Sequence, residues 1–389
     1  MHPAYTIDVP DKVKQSDFLI KEVLTDADLD EFISFPVTLY DKNPYFVPPL
    51  KNDEKALLKI WDNPAFRHCE ARYWLAYKNG TVVGRIAGII NPEYIQEWGC
   101  RYARFGWFDA IHDQQVADGL LRQVESWARE KEMDAIHGPM GFCNFNPAGM
   151  LVEGFNEIPT LAELYNYPYY QDLLKCAGYQ KEVDWVSYQI AVPKQVPLKV
   201  AQFSRIVKKR HQLTVLKPKH SKEIKKYASE IFNLINICYQ HLHGMVPLSN
   251  DQIQYYTNHY LSYIRKDFIS LVTNHHGNLI ALGITIPSLS KAFQKARGKL
   301  LPFGIFHVLH DLYRNDMVEL CLVAIHPDYQ GKGVNAILME EMNHTFLRNK
   351  IKLAESNPEL ESNARVQSMW TYYETRQHKR RRCYIKHLT

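Results

Sequence analysis

Two distant stretches of this chain run through the same order of elements. In the first, an alternating run at 73–77 leads to Asn79-Gly80 and then to a second run at 81–90. Asn-Gly between two such runs is a strong hairpin signal. In the second, a run at 268–273, a turn near His276-Gly277-Asn278 and a run at 279–286 repeat the arrangement. Each stretch continues into a strand ending in Ala-Ile-His, at 110–112 and again at 324–326. A helical pattern follows each time: Leu120, Leu121, Val124 and Trp127 in the first, and Val334, Ile337, Leu338, Met342 and Phe346 in the second. A duplicated α/β domain explains this order more simply than one large domain whose halves match by chance. The chain has 389 residues, enough for about two or three domains with their own cores. Val192-Pro193-Lys194-Gln195-Val196-Pro197 reads as a junction, since two prolines in six residues break regular structure. The expected organisation is therefore a first domain at 1–191, a linker at 192–211 and a second domain at 212–389.

Composition excludes several classes. Lys and Arg number 47 against 42 Asp and Glu, a net charge of +5, which is too small to imply a nucleic-acid partner. The cysteines stand at 69, 100, 143, 176, 238, 321 and 383 with no C-x-x-C spacing, as expected for free thiols in a reducing cytoplasm. The start, Met1 to Asp8, lacks the basic and apolar pattern of a signal peptide. The most apolar stretch, 300–312, is broken by Pro302 and Gly304 and carries His307, His310 and Asp311, so it is too short and polar to span a membrane. It reads as core, or as a greasy wall for a long acyl chain or a lipid-like amine. The close pairs His241 and His243, His275 and His276, and His307 and His310 bring no third ligand at zinc-like spacing, so no metal site is expected. The basic runs 208–211 and 378–382 read as solvated faces, the second with a rival reading as a contact for phosphates or an anionic lipid surface.

The most specific signal is the run from Val318 to Ala336. A buried-looking strand enters a short loop holding Gly331 and Gly333, and a helix follows. The glycines let the backbone turn tightly and approach a ligand. The first N–H groups of a helix have no internal partner, and the helix dipole favours an anion there. Lys332 adds a mobile positive charge. Neither a Walker A loop nor a G-x-G-x-x-G fingerprint fits the spacing.

This run resembles motif A of the GNAT superfamily of acyl-CoA-dependent N-acyltransferases, through His326-Pro327, Gln330 and Gly333. Asn335 departs from the pattern, standing where Gly or Ala is usual. The resemblance implies an α/β fold of two tandem GNAT-like domains, each a mixed, mostly antiparallel sheet flanked by helices. It implies acetyl-CoA or another acyl-CoA as co-substrate, without a metal. Its pyrophosphate would lie on Gln330, Gly331, Lys332, Gly333, Val334 and Asn335, and its pantetheine arm beside Val323 and Ile325. The matching place in the first half, His112 to Gly119, has no glycine pair and carries Asp113 and Asp118, which would repel phosphate. That half is expected to have lost acyl-CoA binding and to wall the cleft or recognise the acceptor. Gly138-Pro139-Met140-Gly141, the 149–155 run and Gly178-Tyr179 are similar to a group of large bacterial two-half GNAT-like proteins, near which bacterial ceramide synthases stand.

The chemistry expected is N-acyl transfer, foremost N-acetyl transfer, by direct attack of a primary amine on the thioester. Reaching the neutral amine at pH 7 costs roughly 4–5 kcal/mol, so a base is needed. Glu319 is the candidate base, since apolar neighbours would raise its pKa; the rival reading is an edge glutamate facing water or paired with an arginine. The amide near Val323 would act as an oxyanion donor. Tyr373, with Tyr372 as the other choice, is the candidate acid for the leaving thiolate. The acceptor is a small-molecule or lipid amine, with a sphingoid base as the long-chain alternative; peripheral membrane contact is compatible with that. A non-catalytic acyl-CoA-binding or interaction protein is the rival class.

Overall fold

A single sheet runs through the whole molecule. The computed structural model describes residues 18–218, 220–258 and 264–388; the start of the chain, where a signal peptide was sought, lies outside them. In the first half the strands are β1 (Leu19–Glu22), β2 (Glu70–Lys78), β3 (Thr81–Ile90), β4 (Tyr102–Ala110), β5 (Ala135–Gly138), β6 (Met150–Glu153) and β7 (Gln180–Ala191). In the second they are β8 (Thr214–Leu216), β9 (Ile269–Thr273), β10 (Leu279–Pro287), β11 (Met317–Ile325), β12 (Leu353–Ser356), β13 (Glu359–Leu360) and β14 (Thr375–His387). The order across the sheet is β1-β2-β3-β4-β5-β14-β7-β12-β11-β10-β9-β8, with β6 on β14 and β13 on β7. The pairs β4–β5 and β11–β12 are parallel, and the other ladders are antiparallel. Both expected hairpins form, β2 with β3 and β9 with β10.

The duplicated order is real, but the halves are not separate sheets. Each half gives its last strand to the other: β14 lies between β5 and β7, and β7 lies between β14 and β12. The stretch 192–211, expected as a linker, holds a helix, α2 (Leu198–Arg210). It follows α1 (Gln114–Glu130), the long helix of the first half, whose Val116, Leu120, Leu121, Val124 and Trp127 join the first core. In the second half α3 (Ala228–Tyr239) covers one face of β10 and β11. Two helices, α4 (Ser290–Ala296) and α5 (Gly304–Tyr313), connect β10 to β11. The last, α6 (Asn335–Arg348), packs with α2 on the other face. Lys208 of α2 reaches Glu340 of α6 at 2.8 Å, so this basic residue is anchored to a helix rather than left solvated. Among the described residues no helix is long and apolar enough to cross a membrane.

The basic run 378–382 is the middle of the sheet, not a solvated face. Lys379 and Arg381 are buried and meet Glu163; Lys379 also meets Glu355. Arg381 donates to the carbonyls of Gly149, at 2.9 Å, and Leu164. Arg380 and Arg382 point the other way and pair with Asp184, Arg380 also with Glu153 and Glu361. Burial alone would raise the Glu163 carboxyl, but Lys379 and Arg381 outweigh it and hold the pKa down to about 2. Removing one member of such a buried group leaves the others uncompensated. Glu163→Gln is expected to lower the unfolding free energy by about 3–5 kcal/mol, read from urea melts at pH 7.

Candidate functional site

Parallel pairing of β11 with β12 runs from Met317–Leu353 to Leu320–Ser356 and then stops. Beyond it one edge of β11 has no strand partner. The register of β11 against β10 also slips here, so that Ile284 faces Leu322 and Thr285 faces Leu320. This bulge at Cys321 reverses the alternation of side chains. Val318 and Leu320 before it and Val323 and Ile325 after it all face the α6 core, while Glu319 points to the opposite side.

Glu319 is buried, with 1% of its surface exposed. Its Oε1 accepts from the Ser288 hydroxyl at 2.8 Å and the Ser290 hydroxyl at 3.4 Å, and its Oε2 accepts from the Leu161 N–H at 3.1 Å. Among the described residues it meets no arginine, and its burial removes it from water. Burial pushes its pKa up to about 7, against the lowering effect of the Ser288 and Leu161 donors, and the neighbouring Glu355 pushes the same way. Leu161 belongs to the first half, so that half supplies one wall of this pocket.

The exposed edge of β11 is capped by side chains. The Val323 N–H donates to the Tyr239 hydroxyl oxygen at 3.3 Å, and the same hydroxyl donates to the Val323 carbonyl at 3.1 Å. The Cys238 thiol and the Gln330 amide both donate to the Ile325 carbonyl, at 3.2 and 2.9 Å. Asn357 donates through Nδ2 to the Cys321 carbonyl at 3.1 Å. Burial raises the Tyr239 hydroxyl pKa, so it stays protonated at neutral pH. Tyr239 carries no sequence motif; only the packing of α3 against β11 brings it here.

At the end of β11 the chain makes a short 3-10 turn, Pro327–Tyr329, and reaches the glycine loop before α6. Gly331 and Gly333 have φ of 72° and 79°, the left-handed region that side chains resist. A Cβ at Gly333 would also press on Val207, at 3.1 Å. Among the described residues, the N–H groups of Gly331, Gly333, Val334 and Asn335 have no hydrogen-bond acceptor. Donors left free at and just before the start of a 14-residue helix are of the kind that can hold an anion. The exposed Lys332 lies over the Tyr329 ring, and Arg365 reaches Gln330 Oε1 at 3.4 Å, adding a second cation that the loop sequence alone does not reveal.

Tyr373 stands elsewhere. Its hydroxyl accepts from Asn343 of α6 at 2.8 Å, and it lines a small apolar pocket with Leu320, Met342, Ala354 and Trp370. Leu320 and Glu319 are neighbours on one strand, so Tyr373 and Glu319 lie on opposite faces of the sheet. Tyr372 is exposed.

The first half has no such opening. Helix α1 begins at Asp113, whose Oδ1 accepts from the Gln115 N–H at 2.9 Å, so the helix caps itself where the second half leaves donors free. The gap beside β4 is filled: the Met140 N–H donates to the Phe105 carbonyl at 2.8 Å, and the Met140 carbonyl abuts Gly106 with no room for a Cβ. The histidine pairs bring a different result. His243 joins the remote His137, Glu182 and Cys383 in one cluster.

Comparison with known proteins agrees with this architecture. Residues 36–138 match the family model described as Acetyltransferase (GNAT) family, a stretch within the first half. The chain is 27% identical over 379 residues to Protein YghO of Escherichia coli (strain K12), covering 95% of each chain. It is 25% identical over 290 residues to a bacterial ceramide synthase of Caulobacter vibrioides (strain NA1000 / CB15N), covering 74% of this chain and 75% of that protein. Among solved structures, a tandem GNAT protein from the clavulanic acid biosynthesis pathway superposes with a TM-score of 0.55 at 11% identity, over 96% of this chain and 99% of the other. The chain thus has the fold of tandem GNAT proteins, two GNAT-type halves that share one sheet, and its first half matches the GNAT acetyltransferase family.

Proposed function

We propose that the second half binds acyl-CoA and that the protein transfers the acyl group to a primary amine by direct attack. The carrying observation is Glu319: a buried carboxyl with a pKa near neutrality, on the strand where β11 and β12 part. Acyl-CoA supplies the activated acyl group. The cradle of Gly331, Gly333, Val334 and Asn335 N–H groups, with Lys332 and Arg365 beside it, fits its pyrophosphate. Gln330 shapes the loop from its Ile325 bond. The Val323 amide and Ile325 line the pantetheine path, beside Tyr239 and Cys238. Glu319 takes the amine proton at its carboxylate. Tyr239 replaces Tyr373 as the acid, because its hydroxyl already sits on Val323, the amide that would hold the thioester carbonyl. The first half, its own cradle closed, walls the acceptor pocket through Leu161.

The acceptor we infer is a lipid amine rather than a small one. Leu301, Phe303, Phe306, Leu309 and Tyr313, on and just before α5, are 77%, 73%, 65%, 47% and 66% exposed. Lys291, Lys295, Arg297 and Lys299 are exposed on and just after α4. This apolar and basic hairpin leads directly from Ser288 and Ser290, which hold Glu319, and suits docking on an anionic lipid surface. Similarity to a bacterial ceramide synthase supports the same choice, a sphingoid base being one such amine.

Calorimetry with acetyl-CoA and palmitoyl-CoA side by side is expected to show one site per chain and tighter binding of the long thioester. Tighter binding of acetyl-CoA would instead select acetyl transfer to a small amine. Gly333→Glu is expected to abolish binding in both titrations, while Gln114→Ala with Gln115→Ala leaves the stoichiometry unchanged. With a long-chain amine as acceptor, kcat/KM should rise with pH through about 7 as Glu319 loses its proton. Glu319→Gln should remove that limb and cost about 10²–10⁴ in kcat with acyl-CoA affinity intact, whereas a purely binding protein would show no turnover to lose. Tyr239→Phe should lower kcat by about 10²-fold, and Tyr373→Phe should leave it within threefold.

A further inference from the structure

Where the exchanged strands meet, three neighbouring strands and one loop bring four metal-ligating side chains to one point. His137 stands on β5, Cys383 on β14 and Glu182 on β7. His137 faces Ile385 across the ladder, so Cys383, two residues earlier, shares its side of the sheet. Glu182 lies at the break in the β7–β14 register, between Val183 opposite Cys383 and Lys181 opposite Tyr384. His243 comes from the loop after α3. The ligand atoms of all four lie within 4.8 Å of one another.

Their contacts with each other are poor as hydrogen bonds. His137 Nδ1 meets Glu182 Oε1 at 3.3 Å. Glu182 Oε2 lies 3.4 Å from His243 Nε2, yet both atoms, and His137 Nε2, are buried without a partner of hydrogen-bonding geometry. Leaving such atoms unsatisfied is costly, and a shared cation satisfies several at once. Two imidazoles, a carboxylate and a thiol form a donor set suited to zinc. A dication with one carboxylate and one thiolate is neutral overall. A thiol binds zinc as the thiolate, so the Cys383 proton is the one to be displaced. Arg104 opposes a second cation nearby, but its guanidinium is turned to the carbonyls of Gly141, Phe142 and Gly244. His137 and Cys383 are fully enclosed, whereas Glu182 and His243 keep 15% and 16% side-chain exposure, which gives an ion a way in.

We propose that His137, Glu182, His243 and Cys383 form a structural zinc site that fastens a loop of the second half to the exchanged strands. Binding exchanges the Cys383 S–H proton for a Zn–S bond and releases that proton to solvent. Four protein donors close the coordination sphere, and the acyl-transfer strand β11 lies beyond β7 and β12, so the site serves folding rather than the reaction.

The test uses the full chain with any affinity tag removed, equilibrated with zinc sulfate and passed over a weak chelating resin. Mass spectrometry of the metal is expected to find about one zinc per chain, and the protein loaded with cobalt(II) should show a thiolate-to-cobalt absorption band. Cys383→Ser should lose that band. His243→Gln, a loop change that leaves the strands intact, should weaken zinc affinity by more than the roughly 10–100-fold that loss of an outer-shell partner costs. Zinc should raise the melting temperature of the parent chain and not of His243→Gln. Folded protein that retains no zinc overturns the proposal. So does equal retention by the parent and both variants, which would place the metal on other histidines.

Discussion

The molecule depends on β14, a strand from the far end of the chain that fills the centre of the sheet. It is hydrogen-bonded to β5 on one edge and β7 on the other, so neither half has a complete sheet without it. Its sequence is an improbable one for such a place, and that fixes its register. Lys379, Arg381 and Cys383 alternate inward, Arg380 and Arg382 outward. A slip by one residue would exchange the two sets, bringing Cys383 out of the interior and replacing the Lys379 contacts to Glu163 and Glu355 with those of an arginine.

The same seam reaches the candidate base. Glu355 of β12 lies opposite Glu319 of β11 in the parallel register, and Lys379 sits between Glu355 and Glu163. Glu163 also accepts from the Thr160 N–H at 2.9 Å, fixing the loop whose next residue, Leu161, donates to Glu319. The charge that raises Glu319 and the donor that orients it are thus both held by contacts between the halves. A tandem arrangement gives the second half something a single domain would lack, a rigid wall set against its own carboxylate.

What the sequence made legible is local. The Asn79-Gly80 hairpin, the repeated strand endings and the strand–loop–helix at 318–336 depend on neighbours in the chain, and all appear where the residues place them. The basic run at 378–382 was misread because its partners are remote: Lys379 and Glu163 are 216 residues apart. Nothing in a Pro-flanked basic stretch such as 198–210 says that a helix there will find Glu340. Tyr373 is a candidate acid only through the family resemblance, and the bulge at Cys321, which decides the face each β11 side chain occupies, is not legible in the sequence. The His137, Glu182, His243 and Cys383 cluster draws one donor from each of four separate elements, so no spacing rule could have found it.

The parting of β11 from β12 is the feature on which the proposed site rests. Once the ladder ends at Leu320 and Ser356, the amides and carbonyls from Cys321 to Ile325 need other partners on that edge. A further strand would satisfy them permanently. Instead Tyr239, Cys238, Gln330 and Asn357 reach in with single side chains. Tyr239 makes two such bonds and Cys238, Gln330 and Asn357 one each, and an amide-bearing ligand lying along the strand would replace them. The first half took the other course, laying the 139–142 backbone against β4, where no rotation can reopen the gap. Two copies of one fold thus differ in whether a strand edge is closed by side chain or by main chain, and that difference is the basis for proposing that one half binds and the other walls the cleft.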